Sequence, residues 1–218
     1  MSELSERSGV AAASIKFYQR EGLVPLGVRT SATQSDYSEA HVDRLRLVRA
    51  LIEVGGLSVT SARDVLQAID NTQMPLDWAF GIAQQAASKG LPTAGLEPAM
   101  GDEVGELITE RGWNVVDENP GREIVSRVIE TYRDLGHDAL LDTLPAYADA
   151  ALIVAKADLA AVASQGDRVA MTQTVVVGTV LGDALFAGLR RIAQEHLSHT
   201  MFPAPPDAAL DNAVEGDC

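Results

Sequence analysis

Along the first seventy residues, apolar and polar positions alternate at helical spacing and are interrupted by Gly, Ser and Pro at short intervals. Ser2 to Arg7 is a short predicted helix, closed by Ser8 and Gly9. Ala11 to Glu21 is a second. It carries Ile15, Phe17 and Tyr18 as apolar mass and Lys16, Gln19 and Arg20 as its polar side, and Gly22 ends it. Two short helices around a tight Gly-containing turn form a helix-turn-helix unit. Leu26 to Tyr37 reads as two very short strands joined by a polar loop, a wing. Ser38 caps a third helix running to about Val54, with His41 three residues on. Gly55-Gly56 stops it, and a fourth helix from Ser58 or Thr60 to Ile69 packs through Ala62, Val65, Leu66 and Ile69.

Beyond residue 70 no strand pattern is visible. Leu76 to Lys89 reads as a helix, and Leu91 to Pro98 as linker. Further helices are predicted at about Met100 to Arg111, Gly121 to Leu135 and Asp138 to Leu144, then from Pro145 to Ala163. A long helix covers about Asp167 to Leu197, and a Pro-, Asp- and Ala-rich tail comes after it from Pro203. The fold class is therefore mainly all-α: an N-terminal winged helix-turn-helix domain with a small β-wing, followed by a multihelical C-terminal domain. The predicted organisation is 1–70 for the winged domain, 71–98 for a connecting helix and linker, 99–202 for an all-helical effector-binding and dimerisation domain, and 203–218 for a flexible tail.

Charge changes the picture in one respect. The 218-residue chain has a formal charge of -14, which by itself argues against a polyanionic partner. The charge is unevenly spread. Residues 1–70 hold 8 basic and 9 acidic side chains, and the remainder holds 9 and 22. A polarised basic face on the first part therefore stays available. The single cysteine, Cys218, excludes an internal disulfide or a cysteine-built metal centre. Val175 to Leu181 is apolar but short for a bilayer span, and no secretory pattern opens the chain. A soluble cytoplasmic protein without membrane partners is expected.

Gly9, Val10, Ser14, Ile15, Lys16, Phe17, Tyr18, Gln19, Arg20, Gly22, Leu23, Val24 and Pro25 stand in the order of a run common in one family, Gly-Val-Ser, Thr-Ile-Arg-Tyr-Tyr-Glu-Arg, Gly-Leu-Leu/Ile-Pro. Arg29, Tyr37, Arg44-Leu45, Leu51 to Gly55 and Ala62 to Leu66 continue the match. Over about residues 1–70 the chain resembles the MerR family of winged helix-turn-helix transcriptional regulators. The resemblance implies a homodimer on a near-palindromic operator in double-stranded DNA. It places the second helix in the major groove, the wing on the neighbouring backbone, and RNA polymerase at the same promoter. It implies control by an effector bound to the variable C-terminal part. Four departures stand out. The usual Ser cap of the second helix is Ala11, the family's first Arg is Lys16 and its first Tyr is Phe17, and Thr33-Gln34-Ser35-Asp36 replaces the usual Gly-Tyr-Arg of the wing. Lysine supplies a point charge but no bidentate fork.

The DNA-contacting candidates are Ser14, Lys16, Phe17, Tyr18, Arg20, Arg29 and Arg44. Their bland alternatives are backbone bonding for Ser14, core packing for Phe17 and Tyr18, and plain surface charge for the cations. Arg44, Arg46 and Arg49 cannot all point one way; those not reaching phosphate pair with Glu39, Asp43 or Glu53. Trp78, Trp113, Tyr132, Tyr147 and Phe186 are candidates to line an organic small-molecule effector pocket, against the alternative of scattered core aromatics. Val180, Leu181, Leu185 and Leu189 mark a dimer or core face on the long helix. His196 and His199 beside Glu195 lack further strong ligands, so no metal and no cofactor is expected. No nucleophile triad, phosphate loop or metal motif points to an enzyme. The alternative to a regulator is a ligand-sequestering protein that keeps the winged fold with weakened or lost DNA binding.

Overall fold

A computed structural model describes residues 1–30, 35–89 and 102–203. The wing loop at Thr33-Gln34, the linker 91–98 and the tail beyond Pro203 lie outside the described residues. Among those described, helix dominates, with one two-stranded antiparallel ribbon.

The winged region is built from α1 (Ser2–Ser8), α2 (Ala12–Arg20), β1 (Val28–Arg29), β2 (Ser35–Asp36), α3 (Glu39–Arg49) and α4 (Val59–Asp70). Each boundary has a local cause. Gly9 ends α1 in the left-handed region at φ 69°. Ser38 starts α3, its backbone N–H donating to His41 Nδ1 at 3.1 Å. Ser58 Oγ accepts from the Ser61 N–H at 3.0 Å to open α4. The helix predicted to reach Val54 does so, but its last turn, Ala50–Val54, is π-helical, and the Gly55 N–H donates to Ala50 O at 2.9 Å.

The rest of the chain is α5 (Leu76–Ser88), α6 (Glu103–Glu110), α7 (Pro120–Asp134), a 3-10 turn (Asp138–Thr143), α8 (Leu144–Ala163) and α9 (Arg168–Met201). Packing divides the molecule into Met1–Gly182 and Asp183–Cys218. In the first unit the main hydrophobic cluster gathers Leu4, Ile15, Leu23, Val42, Leu45, Val48, Leu51, Val65 and Leu66. It does not stop at residue 70, because Ala83 and Ala86 of α5 and Val176 and Val180 of α9 join it. The approach of α9 is close: a Cβ on Gly55 would lie 2.3 Å from Val180 Cγ1. In the second unit the end of α9 leaves Leu185, Leu189, Ile192 and Leu197 exposed.

The apolar run at Val175 is thus part of one 34-residue helix, with a mean hydropathy of 1.5 over its best 18 residues. By length and composition α9 is apolar enough to cross a bilayer. Val175, Val176 and Val180 of this run are buried, two of them in the main hydrophobic cluster, and 22% of the apolar window is buried in all.

Candidate nucleic-acid interface

The period of α2 separates its two jobs. Ile15 and Tyr18 are buried, while Ala13, Lys16 and Arg20 are exposed. Positions 13, 16 and 20 are three and four residues apart, so they share one helical face. Arg20 lies over the Phe17 ring, 5.3 Å from its centroid, and its Nε sits 3.8 Å from Glu21 Oε1. Phe17 is half-buried between cation and core. Ser14 is half-buried on the first turn. No side chain caps that turn, since Ala11 offers no oxygen.

The segment after α2 is pinned firmly. Leu23 and Val24 are buried, and Gln19 Nε2 donates to Pro25 O at 3.1 Å. Arg63 Nε donates to Glu21 O at 3.0 Å, and its guanidinium also bonds the Glu21 carboxylate at 3.1 Å. These bonds fix the end of α2, which orients Lys16 and Arg20.

The wing stands beside it. Val28 pairs with Asp36 and Arg29 with Ser35. Gly27 is needed at its base, where a Cβ would meet Asp36 O at 2.6 Å and the Tyr37 ring at 2.8 Å. Tyr37 packs edge-on to His41, ring centroids 5.3 Å apart, and His41 Nε2 lies 3.4 Å from Leu26 O. Arg29 is exposed on β1. Between α1, α2 and the wing runs a cleft of about 670 Å³ that includes Lys16, Arg7, Glu3, Ser35 and Asp36. Its charges are therefore mixed, with acids in the same cleft as the lysine.

Two of the predicted DNA-contacting residues are occupied within the protein. Arg44 has a side chain only 15% exposed. Its Nε donates to Leu23 O at 2.8 Å, and its two terminal nitrogens take both Asp70 oxygens at 2.9 and 2.7 Å. It ties α3 to the end of α4 and to the segment after α2. Tyr18 is buried, and its phenol pKa is raised, first by burial and then by Glu53, with Arg49 pulling the other way. Arg46 and Arg49 pair with Asp43 at 3.6 Å and Glu53 at 2.8 Å. The role of Arg63 carries no sequence signal, because its partner Glu21 is 42 residues away.

Among the described residues, the groove between α4 and α5 is lined by one of the five aromatic candidates, Trp78. Trp113 stacks under Arg111, 5.7 Å from its centroid, and Tyr132 is half-buried while Tyr147 is exposed. Phe186 belongs to the second unit. Of the four long-helix residues, Val180 is buried, Leu181 packs against the main cluster, and Leu185 and Leu189 are exposed. Among the described residues, no three His, Cys, Asp or Glu side chains are grouped to hold a metal.

Residues 1–69 match the family model described as MerR HTH family regulatory protein. The mercuric resistance operon regulatory protein of Bacillus cereus is 38% identical over 53 residues, which are 24% of this chain and 40% of that relative's length. The crystal structure of SCO5550 from Streptomyces coelicolor A3(2), provisionally assigned as a transcriptional regulator, is similar over nearly the whole chain. Its TM-score is 0.63 at 32% identity, over 94% of this chain and 98% of that one.

Proposed function

The chain belongs to the MerR family of helix-turn-helix regulators, and from that premise we propose that it binds a near-palindromic operator as a homodimer. The DNA-binding regulatory role follows from the family. The finer reading rests on one observation: Lys16 and Arg20 share the exposed face of α2, opposite the buried Ile15 and Tyr18. A helix held this way presents two cations to the major groove while its other side stays in the core. The first N–H groups of α2, left without a side-chain cap, donate to phosphate oxygens. Arg29 on the wing takes the adjacent backbone. Ser14 and Phe17 meet the groove edge from the same helix. Arg44 and Tyr18 act instead from within, holding α2 against α3 and α4.

The second copy docks through the exposed Leu185 and Leu189 stripe of α9. An organic effector acts on the helical region, and RNA polymerase meets the complex at the promoter. The B. cereus relative's name concerns mercury, whereas this chain has one cysteine in all, so a site of several thiolates within one chain is not available here. Asp36 and Glu3 in the cleft with Lys16 favour the second reading, a binding protein with weakened DNA affinity. Selection of bound sites from random duplexes at stated salt separates the two. Enrichment of paired half-sites spaced near a helical-turn multiple supports the regulator, and no enrichment at low salt rejects it.

A further inference from the structure

We propose that the groove between α4 and α5 binds a flat, uncharged aromatic molecule and is the entry point of an organic effector. The effector role rests on the regulator reading; the binding site does not. The groove measures about 570 Å³, within the range of small-molecule sites, and Trp78 stands at its edge with 66% of its surface exposed. A tryptophan face left in water beside an open groove is a ready stacking surface.

Gly81 strengthens the case. It sits in the interior of α5, where glycine weakens a helix relative to alanine. Its φ is not positive, and a Cβ built on it meets nothing within 4 Å. Neither backbone conformation nor packing within the chain requires a glycine here. The missing side chain opens the helix backbone one turn beyond Trp78. A ring stacked on Trp78 extends over Gly81 and rests on Ile82 and Ala68. That geometry selects a flat molecule.

The polar lining selects its chemistry. Gln67 of α4 offers an amide donor and acceptor to ring heteroatoms, and Gln85 of α5, whose Nε2 donates to Glu118 O at 3.5 Å, offers its carbonyl oxygen. The two charged lining residues, Asp64 and Lys89, neutralise each other at 3.0 Å. No net charge is left to hold an ionic ligand, so the occupant is neutral. The groove also has a physical route to DNA binding. The other face of α4, through Ala62, Val65, Leu66 and Ile69, lies in the winged domain's core. Its last residue, Asp70, is held by the Arg44 that bonds Leu23 O beyond α2.

The test uses quinoline, a flat neutral heterocycle at pH 7. Trp113→Phe leaves Trp78 as the sole tryptophan of the two in the chain. Quinoline should then quench its emission saturably. Gly81→Leu fills the groove from a position with free space, so it should keep or raise the melting temperature while weakening quinoline affinity by about tenfold or more. Saturation-transfer NMR on the unmodified protein and on Gly81→Leu repeats the comparison should Trp113→Phe fold poorly. Linear, unsaturable quenching, or equal binding by Gly81→Leu, overturns the proposal. So does a Gly81→Leu variant that loses only self-association, which assigns the groove to a subunit contact. No readout involves DNA, so failure to select an operator bears on the regulator reading alone.

Discussion

Gly55→Ala tests whether α9 is part of the winged domain's core. The added Cβ would sit 2.3 Å from Val180 Cγ1, 2.8 Å from Leu51 O and 3.4 Å from Leu181 Cδ2. The backbone at Gly55 is ordinary, with φ -77° and ψ -9°, so no conformational strain is added. Alanine there restricts the unfolded chain, which favours folding by about 0.4–1 kcal/mol. Overpacking a core opposes it by about 1–3 kcal/mol. The net expectation is a loss of about 1 kcal/mol, the two ranges bounding it between about 0 and 2.6 kcal/mol. Val180→Ala alone removes two buried carbons and should lower stability by about 1.5–3 kcal/mol. In the double variant the offending Cγ1 is gone, and only the approach to Leu51 O stays tight. The second change should therefore be milder than the first by at least about 1 kcal/mol, a coupling well above the additive scatter. Urea unfolding of the four proteins measures it, with m-values compared to confirm the same transition. Additive losses would show that Val180 and Gly55 do not touch in solution and that α9 packs elsewhere.

Three further outcomes are expected. Arg44→Ala should lower stability by about 2–3 kcal/mol, because it leaves Leu23 O and Asp70 without their charged donor, while the salt dependence of DNA binding stays unchanged; a reduced salt slope with normal stability would return Arg44 to the DNA surface. Tyr18, whose pKa is raised above 10.0, contributes stability that is intact below its unfolded pKa and is lost as pH rises through the folded value. Thermal melts should thus fall steeply in alkali for the parent and less so for Tyr18→Phe, and identical alkaline profiles would refute the assignment. Leu185→Glu should weaken self-association by about tenfold or more while leaving the subunit's own melting within about 0.5 kcal/mol, since the side chain is 65% exposed; unchanged sedimentation would remove the end of α9 from the interface.

Helix positions are readable from sequence because their causes are local. Gly9, Ser38 with His41, Ser58 and the Gly55-Gly56 stop all act within one turn of the elements they bound. The face of α2 is readable for the same reason: the spacing of Ile15 and Tyr18 against Lys16 and Arg20 follows from 3.6 residues per turn. The direction taken by Arg44 is not. Periodicity places a side chain on a helix face, but Leu23 and Asp70, the groups it meets, lie 21 and 26 residues away. The π-helical turn at Ala50–Val54 is likewise hidden, since one extra residue in a turn leaves the apolar pattern nearly intact. Val180 meets Gly55 from a helix at the far end of the sequence, and no local rule reports such a meeting. The aromatic candidates share only a residue type, and Trp78 is the one of the five that lines the groove between α4 and α5.

The central claim is that Lys16 and Arg20 face duplex DNA from both subunits. The most direct measurement is the salt dependence of affinity for the selected operator, by fluorescence anisotropy, for the parent and for Lys16→Ala with Arg20→Ala. Both variant sites are exposed, so folding and self-association should be kept. If all four cations of a dimer neutralise phosphates, the slope of log affinity against log salt should become shallower by up to about 3.6, near 0.9 for each phosphate no longer neutralised. Any cation that reads a base instead shows itself as reduced discrimination between operator and random duplex. A folded double variant with the parent's affinity, slope and discrimination would contradict the account.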